Sequence, residues 1–213
     1  MSRVITFSRV FPSYHPRKGE QTFFIEQILN DFKIDYTDQK YFTWLIENNP
    51  EIEDVFLWGF FKSLFSEKKD CKAHTIRNHK TPLKIGEFIN PKCWAGSHLI
   101  PKVNPYNKTP QGYWQIKFAP NVEIKKTWNF RMTTQLDDRE NDWTFCELNG
   151  KHYTFYSDEY LDKKIKEVCK NDGLSSIDFF EWFEPYRTMK QKVNGDDKVF
   201  DGNIICWDGN VNY

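Results

Sequence analysis

The chain has 213 residues, and its 30 Lys and Arg balance 30 Asp and Glu, so the formal net charge is zero. That length suits one domain with a real core, and the charge balance excludes the general basic excess of a protein that coats long nucleic acid, while leaving room for a local basic cleft. Aromatic residues make up 17% of the chain, which excludes a disordered polymer.

Val4 to Phe11 reads as a strand, with Ile5, Phe7 and Arg9 on one face, and it runs into Pro12 and the loop PSYHPRKGE. Phe24, Ile28 and Phe32 recur at four-residue spacing beside Ile25 and Leu29, which predicts a helix from Glu20 to Phe32. Thr37 is the expected cap of a second helix through about Glu47, carrying Phe42, Leu45 and Ile46. Asn49-Pro50-Glu51 has the chemistry of a third helix start: a cap, a proline at the first position and an acid in the first turn. That helix would carry Ile52, Val55, Phe56, Phe60 and Leu64. Its VFLWGFF run reads as a buried helix or as a face for a protein partner, and it is too short to span a bilayer.

After SEKKD the pattern turns to strands: IGEFI, YWQIKF, VEIKKTWNFRM and WTFCEL. In the third, Val122, Ile124, Trp128, Phe130 and Met132 share one face, and Glu123, Lys125, Thr127, Asn129 and Arg131 the other. Residues 91–113 read as a long loop, and Asn149-Gly150 as a hairpin turn. Ser157-Asp158-Glu159 opens a predicted helix carrying Leu161, Ile165 and Val168, which Asn171-Asp172-Gly173 stops. Ser175 and Asp178 form a box-like cap for FFEWF, expected to end at Pro185, and VFDGNIICW is a closing strand. The expectation is one α+β domain over residues 1–213, with a curled mixed sheet, peripheral helices and a helical insertion at 36–70.

Five cysteines, an odd number with no C-x-x-C, do not make a disulfide framework. No signal-peptide core and no long apolar run is seen, so the expectation is a cytoplasmic protein with no membrane partner. Cys71, His74, His79, Cys93 and His98 match no zinc-finger or ribbon spacing, and no metal is expected. There is no G-x-S-x-G elbow, P-loop or G-x-G-x-x-G, so no nucleotide or other cofactor is expected.

The stretch CKAHTIR carries the chemistry that is left. Lys72, Thr75 and Arg77 form K-x-x-T-x-R: an amine whose pKa falls when buried or crowded, a hydroxyl that such an amine can activate, and a planar cationic fork. The alternative reading is a solvated strand edge with ordinary surface charges. In an extended run Thr75 and Arg77 share a face. Arg9, His15, Arg17 and Lys18 surround the first loop, which reads as a phosphate cradle or an ordinary solvated loop, and Trp94 or Trp114 would either stack a base or pack in the core.

KDCKAHTIR followed by LKIGEF and PKCWAG resembles the ASCH family, a branch of the PUA-like β-barrels. Its G-x-K-x-x-T-x-R signature is matched at Lys72, Thr75 and Arg77, and its later K-x-G step at Lys84 and Gly86, while Asp70 replaces the first glycine. NDGLSSIDFFEWF and FDGNIICW also look like the end of such a domain. The resemblance implies a mixed β-barrel with a cleft floored by Lys72, Thr75 and Arg77, binding RNA or a small nucleoside-like ligand. One branch is similar to amidohydrolases of acetylated cytidine, in which the lysine and threonine act with a later glutamate. Glu123 is the positional candidate for it here, with Asp137, Asp138 and Glu147 as alternatives. Three functions follow as expectations: an RNA or nucleoside binder, an amidohydrolase using Lys72, Thr75 and Glu123, and an interaction module using the aromatic helix at 55–64.

Overall fold

The computed structural model describes residues 2–64, 71–79, 81–94, 101–103, 110–136, 142–155, 161–189 and 198–213. In chain order these contain β1 (Ser2–Phe7), α1 (Phe24–Asp31), α2 (Gln39–Asn48), α3 (Asp54–Lys62), β2 (His74–Arg77), β3 (Phe88–Trp94), β4 (Pro101–Val103), β5 (Pro110–Tyr113), β6 (Gln115–Lys117), β7 (Val122–Glu123), β8 (Lys126–Leu136), β9 (Asp142–Leu148), β10 (Lys151–Phe155), α4 (Lys163–Asn171), α5 (Ser176–Met189) and β11 (Lys198–Cys206). The architecture is mixed α+β, and the backbone groups into two units. One comprises Met1–Val10, Gln21–Cys71 and Phe88–Val122, the other Phe11–Glu20, Lys72–Glu87 and Glu123–Tyr213.

In the first unit β1 runs parallel to β3, and β3 pairs antiparallel with β6. Ile5, Phe7, Ile89, Cys93 and Ile116 are buried, as period-2 alternation requires of strands with one covered face. The predicted loop at 91–113 is therefore shorter than expected. β3 continues through Pro91, which has no N–H to donate but lies before the pairing with β6, which begins at Lys92. A separate β4–β5 pair occupies part of what remains.

The described part of the 36–70 segment forms α2 and α3, with different caps from those expected; residues 65–70 lie outside the described residues. Asp38, not Thr37, caps α2 by accepting from Lys40 N at 3.0 Å, while Thr37 donates to Asp35. Asn49 ends α2 instead of starting α3, because its side chain is taken by Leu45 O and by both main-chain polar groups of Lys117. α3 opens later, at Asp54. It packs on α2 through Phe42, Trp58 and Phe61, burying Leu57, Phe60 and Phe61 while leaving Val55 exposed and Trp58 partly so. VFLWGFF is thus one buried face and one open face.

The second unit is built on a five-stranded sheet in the order β10-β9-β8-β11-β2. The order is linear, with β10 and β2 at its ends, and among the described residues no sheet closes on itself into a barrel. The long strand expected from VEIKKTWNFRM is broken: β7 stops at Glu123 and β8 starts at Lys126, because Ile124 N turns to Glu87 O and Lys125 N to Cys206 O. Trp128, Phe130 and Met132 keep the expected face and are buried, as is Ile124 between the strands, whereas Val122 lies in β7, which pairs with β3, and is half-buried. α5 lies against that face through Phe130–Phe179 and Phe183–Phe200 ring contacts at 5.9 and 4.7 Å. Ser175 and Asp178 make the predicted capping box, with Asp178 N donating to Ser175 Oγ and that hydroxyl donating to Asp178 Oδ2. α5 runs through Pro185 to Met189, where a stop was expected. Pro185 removes one N–H from the helix ladder, a cost its packed aromatic face offsets.

β11 approaches its neighbour β2 closely. A Cβ on Gly202 would lie 2.8 Å from the Arg77 carbonyl oxygen and 2.9 Å from the Phe200 ring. Gly202→Ala is therefore expected to lower stability by about 2 kcal/mol through overpacking, read as a shift in urea midpoint at constant m-value.

Candidate functional site

The K-x-x-T-x-R run lies in the second unit, with His74–Arg77 forming edge strand β2. β2 pairs on one side with β11, His74 opposite Cys206 and Arg77 opposite Asn203. Its approach is fixed at the C-terminal end of α4: Ala73 N donates to Asn171 O at 2.9 Å, and Trp207 N donates to Ala73 O at 3.3 Å.

Lys72 is 1% exposed, and its ammonium donates to Asp172 Oδ1 at 2.8 Å and to the Asp172 main-chain carbonyl. A cation at those last-turn carbonyls sits where the helix dipole favours it. Burial pushes the Lys72 amine down to about 8, against the pull of the Asp172 carboxylate. Burial likewise raises Asp172, while Lys72, Arg77 and the Ile76 N–H hold its charged form. Asp172 therefore joins α4 to the strand edge that β11 does not cover.

His74 is fully buried beside this pair. Asn171 Nδ2 donates to the Tyr213 hydroxyl at 2.8 Å, and that hydroxyl lies 2.9 Å from His74 Nδ1. The hydrogen bonds close if Tyr213 donates to Nδ1 and the proton of the neutral ring sits on Nε2, which has no hydrogen-bond partner and lies 3.9 Å from Asp172 Oδ1. Burial and the charge of Lys72 hold His74 well below the ordinary imidazole range, so it is neutral. Thr75 is buried in the middle of β2, opposite Ile205, and Arg77 is half-buried two residues on, on the same side of the strand. Gly86 stands at φ +85°, a conformation glycine reaches without strain, and donates its N–H to Ile124 O at 2.9 Å.

The other expected site residues fall elsewhere. Glu123 is partly exposed and ion-paired with Lys125, so the carboxylate that reaches Lys72 is Asp172. Glu147 lies 3.9 Å from His152, and Asp137 and Asp138 lie outside the described residues. In the first loop Arg17 spans Glu20 at 2.8 Å and Asp178 at 2.7 Å and lies over the Phe11 ring, so carboxylates already occupy its fork. Lys18 is exposed on the same loop. His15 is buried, accepting from Arg17 N and facing the Asp178 carbonyl. Arg9 and Trp94 belong to the first unit: Arg9 donates to Ser63 Oγ at 2.7 Å over the Phe60 ring, and Trp94 is 48% exposed at the end of β3. Among the described residues no three His, Cys, Asp or Glu side chains converge as a metal site.

Asp172, Asn171 and Tyr213 were missed as site residues. The signal for two of them was present in Asn171-Asp172-Gly173, which does end the helix, with Gly173 at φ +79°, but also supplies the buried carboxylate. No family model matches the chain, and no curated protein or solved structure matches it.

Proposed function

We propose that this chain is a divergent ASCH-like, PUA-related module that binds RNA or a nucleoside-like ligand at the Arg77 end of β2. The observation that supports this is the layout of the motif: Lys72 anchored in the interior, with Thr75 and the half-buried Arg77 following on one side of an edge strand. A guanidinium so placed presents parallel donors to a phosphate or a base carbonyl. In this reading Lys72 is a positioning residue, because its amine is committed to Asp172.

A second reading, an amidohydrolase of N-acylated cytidine-like substrates, is favoured by the Lys72 amine, which burial brings to about 8 beside a carboxylate. Neutral Lys72 would take the Thr75 hydroxyl proton as the oxygen attacks the acyl carbon. The C–N bond breaks with return of that proton to the leaving amine, and water then releases the acid from the acyl-threonine. Arg77 would steady the oxyanion, and Asp172 would take the part expected of Glu123.

One set of measurements separates the two. Binding of a fluorescein-labelled single-stranded RNA, competed with cytidine monophosphate, should be salt-dependent and weaken about tenfold in Arg77→Ala. Unchanged affinity in that variant removes β2 from the ligand site. Incubation with N4-acetylcytidine should release cytidine in the wild type but not in Thr75→Ala if the hydrolase reading holds, and no release by the wild type rejects it.

A further inference from the structure

The face of the first unit's sheet that its core does not use carries an unusual side-chain set. With Ile89 and Cys93 buried, alternation places Phe88, Asn90, Lys92 and Trp94 on the other side of β3. Val4 of β1 joins them opposite Asn90, and Lys117 of β6 lies directly across from Lys92. Three of these are large apolar groups left open to solvent: Val4 and Phe88 at 45% exposure and Trp94 at 48%. Of this sheet's four strands, SRVITF, FINPKCW and QIK contain no Asp or Glu, and β7, which pairs with β3, carries Glu123, whose carboxylate is ion-paired with Lys125.

Two like charges directly opposite on adjacent strands destabilise a sheet unless something neutralises them. Lys117 donates to the neutral amide of Asn48 at 3.3 Å and lies 5.9 Å from the Trp44 ring, so no carboxylate holds it. Lys92 makes no ion pair among the described residues. The face thus offers aromatic rings and, among the described residues, lysines with no paired carboxylate. Phe88 and Trp94 are six residues apart, about 20 Å along a strand, far enough to take separate bases.

We propose that this face is a stacking platform for single-stranded RNA. Bases lie on Trp94 and Phe88, and phosphates are met by Lys92 and Lys117. This rests on the nucleic-acid reading above and gives it a contact surface separate from Arg77. Stacking on an exposed ring is sequence-tolerant and adds to affinity base by base, whereas lysine contributes through released counterions.

The test is titration of the full chain against fluorescein-labelled oligouridylate and oligoadenylate at several salt concentrations, with circular dichroism melts of each variant. Trp94→Ala should weaken binding about tenfold, Trp94→Phe should restore most of it, and Lys92→Ala should reduce the slope of log affinity against log salt by about one. Wild-type binding that is lost in Arg77→Ala but unchanged in both Trp94→Ala and Lys92→Ala overturns the platform and leaves the β2 site standing. Wild-type binding unchanged in all three variants overturns both sites. No binding of either oligonucleotide by the wild type overturns the platform together with the nucleic-acid reading.

Discussion

Lys72→Met should cost the fold about 3–5 kcal/mol, and Asp172→Asn a comparable amount, while the double variant should lose far less than their sum. Lys72 and Asp172 are both withdrawn from water, with side chains 1% and 6% exposed. Either one alone would be a buried charge without its counterion, and the desolvation cost of such a charge exceeds what the remaining dipoles return. Methionine keeps most of the volume of the lysine stem, so the loss reports charge and hydrogen bonding instead of a cavity. Asparagine keeps an acceptor for the Ile76 N–H, which leucine would strand. Urea titrations of the four proteins at pH 7 give the coupling energy. Additive losses would show that the two groups do not act as a pair, and the anchoring role of Lys72 would fall with that result.

The legible part of this fold was the part written in period. Alternation along VEIKKTWNFRM placed Ile124, Trp128, Phe130 and Met132 on the buried face, and Ser175 with Asp178 gave a cap that is there. The errors lie where a tertiary partner outbids a local signal. Asn49-Pro50-Glu51 has the composition of a helix start, yet Asn49 is bound to Lys117, a residue 68 positions away. β7 and β8 separate because Ile124 and Lys125 find their partners in Glu87 and Cys206, which no window around residue 124 contains.

The candidate site was legible on one side only. K-x-x-T-x-R was visible because its three residues are close in sequence, and the choice of carboxylate was not, because Asp172 lies 100 positions from Lys72. Glu123 fits the role by its strand and its face, and both criteria are local. Asp172 instead carries a helix C-terminus, and its value at the site comes from the docking of α4 on β2 through Ala73 N and Asn171 O. A stop signal and a counterion are the same residue here, and sequence reasoning assigned it only the first task.

Between pH 7 and 9 the wild-type protein should gain about 1 kcal/mol of stability that Lys72→Met/Asp172→Asn does not gain. The Lys72 amine has its folded pKa lowered from 10.5 to about 8. Above pH 8 the native state releases this proton before the unfolded chain does, so the unfolded state binds more protons and stability rises with pH. The contribution is complete above 10.5 and is lost as pH falls through 8, and its full extent is about 3 kcal/mol at 1.36 kcal/mol per unit. Asp172 works in the opposite sense: its raised folded pKa contributes stability that is present below 3.8 and lost as pH rises through the folded value. The buried thiol of Cys93, raised to about 12, opposes the lysine, because its stabilisation is full below 9.0 and lost as pH rises toward 12. Cys93 is common to both proteins and cancels in the difference, so the slopes from pH 7 to 9 report the Lys72–Asp172 pair. Parallel slopes would mean that Lys72 keeps an ordinary amine pKa in the folded protein. Base chemistry at Thr75 near neutral pH would then have no proton acceptor in this lysine.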